Sequence, residues 1–378
     1  MRRSGMLLAV LGCALAMTVT AATAAPMNVI FLIGDGMGFE QVKAAGIYAN
    51  GAPGTLSFEQ APYTGQVTTY SANSSVTDSA ASGTAIATGV KVNNNVISRA
   101  YPGDGHELET LLEHFRDAGK STGLVTTTYM THATPAAFGA HETSRNSYIA
   151  IAGDYLNQTR PNVLLGGGAN GLSASSAQAA GYSVVTTAAG LAAVDANATT
   201  MLSGQFGSSH LPYEYDGLGS LPHLSDMAAT ALDVLDNDTD GFFLMVEGGR
   251  IDHAGHSNDL VRNVYETIEF AHTVQLVLDW AAGRDDTLVV VTADHETGGL
   301  TVTGEESTWT AGVLPAVNWS TTGHTGANVP VYAWGPNAEL VSGVLDNTDF
   351  FEIATVPEPA AMLLISAGAA ALLRRRAA

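Results

Sequence analysis

The chain has 378 residues, 46% of them hydrophobic, enough for a core of domain size and enough to exclude an intrinsically disordered protein. Thirty-six acidic residues against 15 Lys and Arg give a net charge of −21 at pH 7. That charge excludes a nucleic-acid-binding surface, since a polyanion would be repelled, and leaves cation binding open.

At the N-terminus, Arg2-Arg3, an apolar run from Met6 and the small-residue stretch Ala21–Ala25 form the pattern of a secretory signal peptide over residues 1–25. Cys13, the only cysteine, sits inside the apolar run without a conventional lipobox. The exported chain is therefore expected to hold no disulfide and to draw its stability from the core and from metals.

Short apolar, β-branched runs then alternate with amphipathic or Ala-rich stretches. Strands are expected at Asn28–Ile33, Ser121–Thr127, Asn162–Leu165, Gly241–Val246, Thr287–Thr292 and Val329–Trp334, and helices at Ser79–Thr88, Glu107–Ala118, Ser225–Leu235 and Asp259–Trp280. The stretch Gly166–Thr200, rich in Ala, Gly and Ser, is expected to be a decorated connection. Near-continuous apolar strands alternating with helices predict an α/β fold with a mostly parallel sheet covered on both faces, whose ligands lie beyond the carboxyl ends of the strands.

The polar residues that interrupt this pattern fall at those strand ends. VIFLIGDGMG stops its strand on Asp35 between glycines, and a carboxylate at a buried strand tip is costly unless something positive meets it. FFLMVEGGRIDHAGH carries Glu247, Asp252, His253 and His256; TLVVVTADHETGG carries Asp294 and His295; TTGHTG carries His324. One such residue alone would be a turn, a cap or a hydrogen-bonded histidine. Together, the mixed nitrogen and oxygen donors suit zinc-like ions and the oxygen-rich remainder suits magnesium. The Asp252-x-x-x-His256 spacing puts both side chains on one side of a helical turn. Ser79, after Asp78 at the start of a run of small residues, is either an N-cap or a nucleophile. A helix start beside a metal ion favours both an ionised serine oxygen and a bound phosphate, onto which Arg145 could fork.

In this order, GDGMG, TDSAASGTA, THATPAAFGAHETSR, LGGG, MVEGGRIDHAGH, TADHETGG and HTG resemble the alkaline phosphatase family over Val29–Trp334. The resemblance implies a three-layer αβα sandwich over residues 26–355 and hydrolysis of phosphate monoesters through a phosphoserine at Ser79. It further implies Asp252, His256 and His324 on a first zinc; Asp35, Asp294 and His295 on a second; Asp35, Thr134 and Glu247 on magnesium; and Arg145 clamping phosphate. His132 and His253 stand at two positions that vary in the family, so the identity of the third metal stays open. A homodimer is the oligomer the resemblance implies, although Glu296–Gly323, where larger members carry a dimer-forming insertion, is short. A sulfatase of the same superfamily would need a Cys/Ser-x-Pro-x-Arg setting, and Ser79–Gly83 lacks the proline and the arginine. Diesterase activity depends on pocket shape and is left open.

Two glycine-rich or acidic stretches imitate other sites. Asp236–Glu247 fits the EF-hand calcium-loop spacing, but a buried-strand pattern follows Gly241 where an exiting helix is required. Gly166–Gly168 lacks the Gly-Lys-Ser/Thr of a nucleotide loop and reads as a turn. Last, Val356-Pro-Glu-Pro359, an uncharged stretch to Leu373 and Arg374–Arg376 resemble the PEP-CTERM sorting tail of exported bacterial proteins. Export to the periplasm, cell surface or matrix, with transient membrane contact through residues 356–378, is the expectation.

Overall fold

The computed structural model describes residues 27–356, so the expected signal peptide and the tail beyond Val356 lie outside the described residues. The chain opens with β1 (Asn28–Gly34) and α1 (Phe39–Asn50), then β2 (Tyr63–Thr68) and α2 (Ser79–Thr88). Next, α3 (Leu111–Asp117) leads into β3 (Ser121–Tyr129), followed by α4 (Ala133–Gly139), α5 (Tyr148–Asp154) and β4 (Val163–Gly167). A polar stretch carries α6 (Ala174–Ala179), β5 (Ser183–Val185), α7 (Ala188–Ala192) and β6 (Leu202–Gln205). It is followed by α8 (Leu224–Leu235), β7 (Phe242–Gly248), α9 (Arg250–His256), α10 (Leu260–Ala281) and β8 (Thr287–Thr292). Two short ribbons are built from β9 (Glu296–Thr297), β10 (Leu300–Thr303), β11 (Ala316–Trp319) and β12 (His324–Thr325). The described chain finishes with β13 (Val329–Trp334), β14 (Gly343–Asp346) and α11 (Asp349–Thr355).

Ten strands form one sheet in the order β14-β2-β13-β8-β1-β7-β3-β4-β6-β5, parallel throughout except where β13 runs against β8 and β2. Helices α1, α8, α9 and α10 pack as one layer and α2, α3, α4 and α11 as another, which is the expected αβα sandwich. Being covered on both faces, β1, β7 and β8 are buried along their whole length, which explains their unbroken runs of aliphatic and aromatic residues. Edge-to-face packing of Phe31 on Phe350, with centroids 5.7 Å apart, and stacking of Phe115 on Phe243 tie the layers together.

Some expectations are corrected. The helix expected from Glu107 starts at Leu111, because Thr110 and Glu113 form a capping box that satisfies its first amides. Asp259 caps α10 from outside. The stretch expected to be only a connection ends β4 and supplies β5, which extends the sheet beyond β6. Gly166 and Gly167 lie inside β4, and a Cβ on Gly167 would stand 1.8 Å from the Ser209 carbonyl oxygen, so the glycine admits a neighbouring loop rather than making a turn. The calcium-like loop is committed elsewhere: Arg284 forks onto Asp236 at 3.0 and 2.7 Å, and Ser121 donates to Asp238 at 2.7 Å. Gly241 then turns at φ +90° into β7, where an EF-hand would need a helix. Among the described residues no helix is long and apolar enough to cross a membrane.

Candidate active site

Because β1, β7 and β8 run parallel in the middle of the sheet, their carboxyl ends deliver Asp35, Glu247 and Asp294 side by side, with Ile33 level with Glu247 on one flank and with Thr292 on the other. From the end of β3, the chain brings His132, the residue before α4, and Thr134, inside it, to the same edge. The antiparallel β13 is reached through His324, and the short α9 adds Asp252 and His256. The sharp turn after β1 needs Gly36 at φ +72°, where a Cβ would meet the Thr297 hydroxyl at 2.8 Å and the Asp252 Cα at 2.9 Å. Gly36→Ala is therefore expected to destabilise the protein by at least about 2 kcal/mol, read as a lower denaturation midpoint, since it adds left-handed strain to a clash with backbone.

Three donor groups converge, each with its ligand atoms within 4.8 Å of one another: Asp252, His256 and His324; Asp35, Asp294 and His295; Asp35, His132 and Glu247. In the first, Asp252 Oδ1 lies 3.3 Å from His256 Nε2 and 3.6 Å from His324 Nε2, and the two Nε2 atoms are 3.1 Å apart. Each imidazole donates from Nδ1 to a carbonyl, His256 to Thr322 at 2.6 Å and His324 to Thr77 at 2.9 Å. Both Nε2 atoms therefore face each other beside Asp252, an arrangement that needs either a shared proton or a metal ion between them. Tetrahedral zinc bonds of about 2.0–2.1 Å put donor atoms about 3.3 Å apart, so the spacing fits such an ion.

In the second group, His295 Nε2 lies 3.2 Å from Asp294 Oδ2, 3.6 Å from Asp35 Oδ1 and 3.2 Å from the Ser79 hydroxyl. Backbone amides of Gly36 and His295 hold Asp294 Oδ1, leaving Oδ2 buried without a partner. In the third, Thr126 and Thr128 donate to Glu247 Oε2, while Glu247 Oε1, both Asp35 oxygens, the Thr134 hydroxyl and His132 Nδ1 are buried and unpartnered. Orphaned buried oxygens at this density are what a cation site presents to an ion, and they are costly otherwise.

The electrostatics agree. Burial, then Asp294, Asp252 and Glu247, pushes Asp35 far above the usual carboxylate range, and burial lifts Asp294 to about 6 and Glu247 to about 7. Burial would raise Asp252 too, but His256, His295 and His324 outweigh it and hold it low, while Asp252 lifts His256 to about 9. Burial, reinforced by His324, keeps His295 neutral, and burial, reinforced by Arg145, does the same for His132.

Ser79 is the first residue of α2 and 1% exposed. The cap is Asp78, whose Oδ1 accepts from the Ala81 amide, so the serine hydroxyl is spared for the site. Asp78 Oδ2 takes Arg145 Nη1 at 3.1 Å, and Arg145 Nη2 reaches His132 Nε2 at 3.4 Å. Burial works against the Arg145 charge, but Asp78, Asp35 and Asp252 outweigh it and keep it a cation.

All thirteen residues singled out in the sequence thus stand at one sheet edge, His253 on its outer side. There its ring meets His210, which sequence reasoning missed, at 4.5 Å between centroids, and His132 at 5.7 Å. His210 sits in SSHLPYEYD without a motif, and burial lowers it to about 3. Thr297, which donates to Asp252 Oδ1 at 2.5 Å, was also missed, although it lies within TADHETGG.

The described domain matches the family model for alkaline phosphatase over residues 26–315 and 311–356, and residues 355–377 match the PEP-CTERM protein-sorting motif. Alkaline phosphatase 3 of Bacillus subtilis is 35% identical over 85% of this chain and 87% of its own length. Among solved structures, a cold-active alkaline phosphatase from Shewanella sp. superposes with a TM-score of 0.78 at 31% identity, covering 87% of this chain and 98% of that one. A His-to-Glu variant of TAB5 alkaline phosphatase, with magnesium bound in its M3 site, gives 0.77 at 29% identity, covering 88% and 97%.

Proposed function

The chain belongs to the alkaline phosphatase family and is a phosphomonoester hydrolase, and from that premise we propose that it works through a phosphoserine on Ser79 at a site for two zinc ions and one magnesium. The observation that carries the proposal is the set of orphaned, buried donor atoms of Asp35, Asp294, Glu247 and Thr134 beside a serine freed from capping. Asp252, His256 and His324 would hold one zinc, Asp35, Asp294 and His295 the other, and Asp35, Thr134 and Glu247 the magnesium. His132 stands beside this last group, and a nitrogen there makes zinc or cobalt the alternatives to magnesium. When bound, these ions supply Lewis acidity that ionises a hydroxyl or water and stabilises a departing oxygen.

The chain's own groups do the rest. Arg145, aimed by Asp78, holds two phosphoryl oxygens with its fork, and the start of α2 directs amides at the same charge. The Ser79 hydroxyl gives up its proton and its oxygen forms a bond to phosphorus as the ester oxygen leaves with its carbon group and takes up a proton. Water then attacks the same phosphorus from the face opposite Ser79 and gives up a proton, the bond to Ser79 breaks as its oxygen takes one up, and inorganic phosphate leaves. Arg145→Ala is expected to raise KM for an aryl phosphate and Ki for phosphate about 10- to 100-fold, the loss of two charge-assisted hydrogen bonds, with Arg145→Lys intermediate.

Two measurements test the reading together. Steady-state rates should favour aryl monoesters over the matching diesters by a wide margin, and acid quenching with labelled phosphate should leave label on the peptide that contains Ser79. Faster diester hydrolysis, or label absent from that peptide, would overturn it.

The PEP-CTERM match supports export and membrane-related sorting of residues 356–378 in a bacterium; the proposal further takes residues 26–355, where the alkaline phosphatase family model matches, as the catalytic domain, and residues 1–25 as a signal peptide. A homodimer belongs to the same proposal, and light scattering tests it.

A further inference from the structure

Arg250 opens α9 two residues before Asp252, and nothing in the reaction just described uses it. Its guanidinium lies over Tyr213, with Cζ 3.8 Å from the ring centroid, and its Nη1 donates to His253 Nδ1 at 2.7 Å. Guanidinium nitrogens carry only donors, so His253 Nδ1 must be the acceptor. An imidazole that accepts at Nδ1 and is neutral carries its proton at Nε2. His253 Nε2 has no protein partner among the described residues, and the ring packs against His210 and His132, which also touch each other at 5.6 Å between centroids, with His132 within reach of Arg145.

The loop that supplies Tyr213 and His210 is itself anchored. Leu211 donates its amide to the Thr127 carbonyl at 2.9 Å, and Glu214 donates its amide to Glu266 Oε1 at 2.8 Å. The Arg250 amide donates to the Thr127 hydroxyl at 3.3 Å. Both partners of the His253 ring are therefore fixed from the end of β3 and from α10, and the tautomer does not depend on a mobile side chain.

From this geometry we infer that Arg250, held on Tyr213, is a positioning residue that fixes His253 as its Nε2–H tautomer, so that the ring offers a neutral N–H donor to the phosphoryl group beside Arg145. The pairing explains why a histidine next to Asp252 stays outside the metal groups: its Nδ1 lone pair is occupied and its Nε2 is a donor. The kinetic part rests on the proposed phosphate site, whereas the tautomer can be read without it.

The test uses holoenzyme labelled with ¹⁵N-histidine, with His253 assigned by its loss in His253→Gln. The expected spectrum shows Nδ1 unprotonated and Nε2 protonated. Arg250→Met should mix the tautomers and raise KM for an aryl phosphate and Ki for phosphate about fivefold, one hydrogen bond's worth, with kcat changed much less. Arg250→Lys, which keeps a donor, should restore most of both, and Arg250→Met in the His253→Gln background should add nothing further. A wild-type His253 protonated at Nδ1 would overturn the inference even if Arg250→Met failed to fold. So would an Arg250→Met effect that persists in full without His253. Inactive enzyme with the expected tautomer would instead overturn the proposed phosphate site.

Discussion

Replacing Ser79 by alanine is expected to lower monoester hydrolysis by at least about 10³-fold and to abolish the burst of released alcohol, while metal content and thermal midpoint stay close to those of the parent. The split follows from where the hydroxyl sits. Its one hydrogen-bond partner among the described residues is His295 Nε2, it caps nothing because Asp78 takes the cap, and alanine is well tolerated in the first turn of a helix. The neighbouring Ser82 behaves oppositely, donating to the Asp294 carbonyl at 2.6 Å and accepting from Asn347, so Ser82→Ala should cost stability before it costs chemistry. Rates and midpoints of the two variants, measured side by side, separate a nucleophile from a structural serine. Activity of Ser79→Ala above about a tenth of the parent's would mean that water attacks phosphorus directly and that the phosphoserine is not obligatory.

How much of this could be read from the sequence depended on burial. β1, β7 and β8 were legible because a strand covered on both faces must be apolar throughout, and the carboxylates that end them stood out against that background. β2, the short β5 and β6, and β14 were not legible: all but one residue of YTGQVT are exposed or half-exposed, and Ser183–Val185 has too few residues to show a period. The seven-residue α9 escaped as an element although its Asp252 and His256 were paired correctly by spacing. His210 and Tyr213 escaped for a different reason. They reach the site from a loop seated by the Gly167 close approach and the Leu211 amide, contacts between segments about 40 and 80 residues apart that no local pattern encodes.

Chelation followed by removal of the chelate is expected to abolish hydrolysis and lower the thermal midpoint, and the midpoint should fall more at pH 8 than at pH 5.5. The first part follows from mass action, since each site held at a thousandfold its Kd contributes about 4 kcal/mol to the folded state. The second follows from the carboxylates left behind. Burial raises Glu247 from 4.5 to about 7 and Asp294 from 3.8 to about 6, and raises Asp35 as well. Groups raised in the folded state keep their full contribution below the unfolded values near pH 4 and lose it as pH climbs through 6 and 7, where the unfolded chain ionises freely and the fold resists. At about 1.4 kcal/mol per unit, Glu247 alone costs on the order of 3 kcal/mol by pH 8. Ions in the three groups cancel that cost by favouring the ionised carboxylates, so the holoenzyme should lack this pH dependence while sharing whatever the acidic surface imposes on both forms. Calorimetry of the two forms at both pH values, with zinc and then magnesium restored, separates the terms. The buried neutral histidines weigh on both forms alike at pH 5.5, so the informative quantity is the gap between them: a gap no larger at pH 8 than at pH 5.5 would mean that Asp35, Asp294 and Glu247 do not stay packed together without cations, and that binding itself assembles the site.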